Sequence, residues 1–172
     1  EGDTSTVTAS VAGLSTASSA ATHALEVGSL AFDKAFDPGT TVTGGDPTLT
    51  FTIDNHHPDQ PATDLAFTDD LDAVLPGLTA TDLPVEPCGP GSQVAGAATL
   101  TFSGGVAPAG GTCTFEVTLA VPSDADAGEY TNTTSELSGQ VDGRAETAPP
   151  ATDGLVVVDE IALEKAFVDD PV

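Results

Sequence analysis

The chain has no methionine and no tryptophan, one tyrosine, two cysteines and only three basic residues among 172. The interior of any domain must therefore be filled by Phe, Leu, Ile and Val. Three Lys plus Arg against 27 Asp plus Glu give a net charge of −24, a surface that repels nucleic acid and anionic lipid. No stretch approaches the run of about eighteen apolar residues that a membrane helix needs, so this segment is not expected to insert. Further Cys or His at tight spacing, which a zinc site wants, are absent. No Ser-His-Asp order, phosphate-binding loop or nucleotide fingerprint is present, and the chain is expected not to be an enzyme.

What the chain does have is repetition. Phe32, Lys34 and Phe36 alternate in "LAFDKAF", and 131 positions on, from Lys34 to Lys165, Leu163, Lys165 and Phe167 alternate in "IALEKAF". A second echo aligns "GDTSTVTASVAG" (Gly2–Gly13) with "GEYTNTTSELSG" (Gly128–Gly139) at an offset of 126, from Gly2 to Gly128. Periods of this length signal arrays of modules. Residues 1–27 read as the tail of one repeat, 28–158 as a complete repeat and 159–172 as the head of a third. The polypeptide is expected to be cut from something longer.

Acidity on this scale is tolerated where self-repulsion is screened or neutralised. The Debye length falls to about 3 Å at 1 M salt, and bound divalent cations do the same work locally. Calcium has two candidate addresses: Asp124, Asp126 and Glu129 in "DADAGE", and Asp69, Asp70 and Asp72 in "FTDDLD". Neither loop matches the twelve-residue helix-loop-helix pattern, and a solvated acidic turn is the ordinary alternative. No other cofactor is expected. Cys88 and Cys113 lie 25 positions apart; one disulfide in an extracellular, loop-rich β domain is the economical reading, two free thiols in a reducing compartment the alternative.

The apolar pattern is that of strands. "TLTFTIDN" (Thr48–Asn55) places Leu49, Phe51 and Ile53 on one face, and "CTFEVTLAV" (Cys113–Val121) does so for Cys113, Phe115, Val117, Leu119 and Val121. Shorter candidates are Thr4–Val11, Leu30–Phe36, Asp64–Thr68, Ala98–Phe102, Tyr130–Leu137 and Leu155–Val158. Between them stand Gly- and Pro-rich punctuators such as "DPGTT", "CGPGSQ" and "SGGVAPAGG". No convincing helix is found. The expectation is an all-β, immunoglobulin-like antiparallel β-sandwich with flanking β segments that belong to adjoining repeats.

With these residues in view, the chain resembles a known family. "LAFDKAFDPGTTVTGGDPTLTFTIDNHHPDQPATDLAFTDDLDAVLPGL", then a Cys, then "APAGGTCTFEVTLAVPSDADAGEYTNTTS", is similar to the immunoglobulin-like repeat called domain of unknown function 11, strung in tandem in large bacterial and archaeal cell-surface proteins. The resemblance covers essentially all of 28–137. It implies a secreted, surface-exposed spacer or adhesin module without known catalysis.

One strand face carries an anomaly. Leu30, Phe32, Lys34 and Phe36 share a face, so if the Phe side points inward, Lys34 does too. A buried ammonium is costly unless it is paired, neutralised or consumed. Three fates are open: snorkelling to the strand end, pairing with a carboxylate such as Asp69, or an intramolecular isopeptide bond to Asn132 or Asn55 with Asp69 as the acid. Asn132 shares a face with Tyr130 and Thr134, Asn55 with Phe51 and Ile53, and Asp69 with Leu65 and Phe67. Asn132-Thr133-Thr134 is also a glycosylation acceptor sequence, which requires Asn132 to face solvent. His56 and His57, with Asp54 and Asp59 nearby, sit in the turn "NHHPDQP"; adjacent residues point apart, so turn-face solvation is favoured over metal binding.

The function expected is a structural module of an extracellular surface protein, stalk or filament. Its partners would be neighbouring copies, joined by β-strand addition or covalent tandem linkage. The alternative is a calcium-stabilised adhesin domain that binds a glycan or protein.

Overall fold

A computed structural model describes residues 29–160. The repeat piece assigned to 1–27 and all but the first two residues of the piece assigned to 159–172, with the strands expected at Thr4–Val11 and Ile161–Phe167, lie outside the described residues. Within them the chain forms an immunoglobulin-like antiparallel β-sandwich of twelve strands and one helical turn. The strands are β1 (Leu30–Asp37), β2 (Thr40–Val42), β3 (Thr48–Asn55), β4 (Ala62–Asp70), β5 (Thr79–Asp82), β6 (Gln93–Ala95), β7 (Thr99–Ala107), β8 (Thr112–Ala120), β9 (Gly128–Thr133), β10 (Leu137–Val141), β11 (Arg144–Ala148) and β12 (Thr152–Val158). The turn α1 (Leu71–Val74) follows β4 and is capped by the Asp70 carboxylate, which accepts from the Ala73 amide.

Three sheets result, with strand orders β1-β3-β8-β5, β11-β10-β4-β7-β6 and β2-β12-β9. The first two face each other, and alternation decides what lies between them. On β3, Leu49, Phe51, Ile53 and Asn55 are buried while their neighbours are not; on β8 the buried set is Cys113, Phe115, Val117 and Leu119. Phe32, Phe51 and Phe115 from the first sheet meet Phe67 and Phe102 from the second in one cluster, with neighbouring ring centroids 4.6 to 6.4 Å apart. Lacking Trp and Met, the molecule builds its centre from these five rings.

The third sheet is what positions the site. Along "TNTTSE" the chain leaves one sheet for another: the Thr134 amide still donates to Ala151 O, beside β12, whereas the Ser135 amide donates to Thr68 O on β4. The single strand expected over Tyr130–Leu137 is thus broken at its middle into β9 and β10. The crossing sets β9 beside the C-terminal end of β4. On its other side β9 pairs with β12, Asn132 opposite Asp153, and the Asp153 carboxylate accepts from the Phe36 amide of β1 at 2.7 Å. β1, β4 and β9, each from a different sheet, therefore converge.

β10 then packs closely over β4. A Cβ at Gly139 would lie 2.7 Å from Leu65 Cδ2 and 3.1 Å from Thr63 O, so no side chain fits there. Gly139→Ala is expected to cost about 1–3 kcal/mol through overpacking, read as a lower denaturation midpoint at unchanged m-value.

Cys88 and Cys113 form a disulfide with Cα atoms 5.6 Å apart, tying the loop after β5 to the start of β8, and no described cysteine is free. Reducing it should remove about 3 kcal/mol of loop constraint, or roughly 10 °C in Tm for a domain of this size, without unfolding it. Far-UV dichroism with and without reductant tests this, and collapse of the spectrum at room temperature would contradict it. No helix among the described residues is long and apolar enough to cross a membrane.

Candidate functional site

Lys34 lies inside. Leu30, Lys34 and Phe36 are buried and Phe32 is partly buried, while Asp33, Ala35 and Asp37 face outward. The Lys34 residue is 3% exposed, too deep for its ammonium to snorkel. Asp69 is 1% exposed, on the inward face of β4 after Leu65 and Phe67, and Asn132 on β9 is 0% exposed. Alternation on three separate strands thus brings an amine, a carboxyl and a carboxamide together in the interior.

Their geometry is specific. Lys34 Nζ donates to Asp69 Oδ2 at 3.0 Å, and Asn132 Nδ2 donates to the same oxygen at 3.2 Å. Asp69 Oδ1 and Asn132 Oδ1, both acceptors, are buried with no hydrogen-bond partner. Burial pushes the Lys34 ammonium below its usual pKa range; the adjoining, hydrogen-bonded Asp69 carboxylate pulls it back in part, and Asp153 adds a smaller pull. The site therefore favours an uncharged amine more than water does, and it holds two acceptors without a donor.

Asn55 does not belong to this group. It is buried but sits opposite Leu30, four residues along β1 from Lys34, which faces Phe51. Its amide donates to Gln60 O and Pro108 O and its Oδ1 accepts from the His57 amide, so it anchors the turn after β3. His57 is a turn residue as well, its ring nitrogen accepting from the Gln60 amide at 3.1 Å. The glycosylation reading of Asn132 is corrected: a fully buried side chain whose Nδ2 already donates to Asp69 offers no atom to a glycosyl donor.

The acidic loops have local employment. Asp72 accepts from the Gly77 amide at 2.7 Å, Asp70 caps α1, and the backbone carbonyl of Asp126 accepts from the Tyr130 hydroxyl at 2.8 Å. Asp124 and Glu129 are exposed. Among the described residues, no three His, Cys, Asp or Glu side chains gather in a group fit to hold a metal ion. Sequence reading missed Asp153: its neighbours in "TDGLVVV" give no alternating signal, and its link to β1 depends on the third sheet.

Fold and site together define an immunoglobulin-like β-sandwich with a polar, ionisable centre where its three sheets meet. The chain belongs to the family described as Domain of unknown function (DUF7933), whose profile matches residues 31–157. Membership of domain of unknown function 11, which the motifs resemble, is not shown by this match. No curated protein matches the chain. Among solved structures it is similar to a cohesin module of a Clostridium perfringens family 33 glycoside hydrolase, at 8% identity and TM-score 0.53, over 76% of this chain and 98% of that one. It is also similar to a chain of a type I cohesin–dockerin complex from Clostridium thermocellum, at 10% identity and TM-score 0.53, over 79% of this chain and 100% of the other. A further likeness is to BcpA, the major pilin subunit of Bacillus cereus, at 12% identity and TM-score 0.49, over 76% of this chain and 40% of that one. At these identities the likeness to the two cohesin structures establishes the sandwich fold and nothing finer.

Proposed function

We infer that the chain is a non-enzymatic structural module of an extracellular surface protein, stalk or filament, in which such sandwiches follow one another head to tail. The observation that carries this reading is the match between repeat period and folded unit. β1 begins at Leu30 and β12 ends at Val158; after Asp159 and Glu160 comes Ile161, the counterpart of Leu30 at the 131-position period. One period is one sandwich plus a two-residue joint. The direction of the chain supports it: β2 runs parallel to β12, Thr40 beside Val156 and Val42 beside Val158, so the polypeptide enters at one end of the sandwich and leaves at the other. The disulfide fits an oxidising, extracellular setting, and the −24 charge keeps successive modules apart and soluble.

Small-angle scattering on tandem fusions of one, two and three copies of residues 28–158 tests the reading. The longest dimension should grow by one equal step per copy, and a dimension that stays constant would refute it. Melting of the chain with and without a calcium chelator separates the alternative: a spacer is indifferent, whereas a calcium-stabilised adhesin that binds a glycan or protein loses stability. Joining by strand addition is tested by deleting residues 1–12, which should abolish end-to-end association while the sandwich melts as before. A chain that is monomeric before the deletion leaves covalent tandem linkage as the joint.

A further inference from the structure

We propose that Lys34 and Asn132 are joined by an intramolecular isopeptide bond, formed by the folded domain itself with Asp69 as the proton relay. The proposal stands on the geometry of the buried centre and is independent of the array reading.

Three requirements meet there. The nucleophile must be an amine out of water, and Lys34 lies 3% exposed between sheets. The electrophile must be a carboxamide held beside it; Lys34 Nζ and Asn132 Nδ2 bind the same oxygen of Asp69, at 3.0 and 3.2 Å, so the amine and the amide are neighbours across one carboxyl group. A donor must polarise the amide carbonyl, and in this pocket two buried acceptors, Asn132 Oδ1 and Asp69 Oδ1, have no partner. A single proton on the Asp69 carboxyl supplies the missing donor. An ordinary ion pair would leave both oxygens unsatisfied in the core, a cost that native interiors avoid. Holding the reactants together in a buried site supplies the rate that the same amine and amide lack in solution.

The step balances without any co-reactant. The Lys34 ammonium passes a proton to the Asp69 carboxylate, giving a neutral amine and a carboxylic acid. The acid donates to Asn132 Oδ1 while the nitrogen lone pair of Lys34 adds to Asn132 Cγ, forming the new C–N bond. The tetrahedral centre then collapses: the attacking nitrogen gives up a proton, Asp69 relays it to Nδ2, the Cγ–Nδ2 bond breaks, ammonia leaves, and the Oδ1 proton returns to Asp69 as the carbonyl re-forms. One amide replaces another, nothing is oxidised or reduced, and Asp69 remains as the carboxylic acid. Asn55 takes no part, because its amide is occupied by the carbonyls of Gln60 and Pro108.

Intact mass spectrometry of the purified, reduced and denatured chain tests the bond. The expected mass is that of the sequence less one ammonia, and digestion at acidic residues should yield a branched peptide joining the Lys34 segment to the Asn132 segment. Lys34→Arg and Asp69→Asn should each restore the full sequence mass. A wild-type chain at full mass overturns the proposal, and so does an ammonia loss without the branched peptide. A branched peptide that persists in Asp69→Asn overturns the role given to Asp69.

Discussion

Asp69→Ala should be the most damaging single change in the polar centre, costing about 3–5 kcal/mol. The carboxyl is the acceptor of both Lys34 Nζ and Asn132 Nδ2, and its removal strands a cation and an amide in a buried site. Against a total stability of about 5–15 kcal/mol for a domain, such a loss leaves a chain that is partly unfolded at room temperature or close to it. A second substitution identifies the cause. Lys34→Met added to Asp69→Ala should recover part of the loss, because an apolar side chain of similar length in an apolar setting removes the uncompensated charge rather than a contact. With no Trp to follow, urea titration by far-UV dichroism is the measurement. A loss below about 1 kcal/mol for Asp69→Ala would mean that the pair sits in a wetter place than its burial indicates.

Phe67→Ala should cost a similar amount, about 3–5 kcal/mol, by a different route. Phe67 is 4% exposed and its ring centroid lies 4.6 Å from that of Phe32, 4.9 Å from Phe51 and 5.3 Å from Phe102. It is the ring by which β4 meets the facing sheet, as Phe102 of β7 meets Phe115, and no Met is present to flow into the cavity left behind. Phe67→Leu should cost much less, since it keeps most of the buried volume. Equal losses for the Ala and Leu variants would point to ring stacking rather than cavity formation as the main term.

The parts of this fold that were legible in the sequence are those where one strand decides its own inner face. β3 falls on Thr48–Asn55 and β8 is displaced by one residue from its expected span, since both alternate cleanly and are half buried. β2, β5, β6 and β11 were missed. They are short or largely polar: of "RAETA" in β11, only Ala148 is buried. The same division runs through the site. Inward placement of Lys34, Asp69 and Asn132 follows from alternation with their apolar neighbours, so those residues were readable one strand at a time. The choice between Asn132 and Asn55 was not, because it depends on which strand lies across from Lys34. That is settled by the crossing at Thr134 and Ser135, a tertiary event with no local signature.

The parallel pairing of β2 with β12 has a consequence for how the sandwich bears load. Tension applied through adjoining segments pulls backward on the strand that enters at Leu30 and forward on the strand that leaves at Val158. β2, which continues the entering strand, runs beside β12 in the same sense: the Val156 amide donates to Gly39 O and the Thr43 amide to Val158 O, with the Asp153 link to Phe36 of β1 further down. Their hydrogen bonds lie across the line of pull and are strained together in shear, whereas a hairpin pulled from its open end unzips bond by bond. β2 and β12 act as a clamp between the two ends of the chain, and load entering at Leu30 passes along β1, which is hydrogen-bonded to β3, before it reaches them.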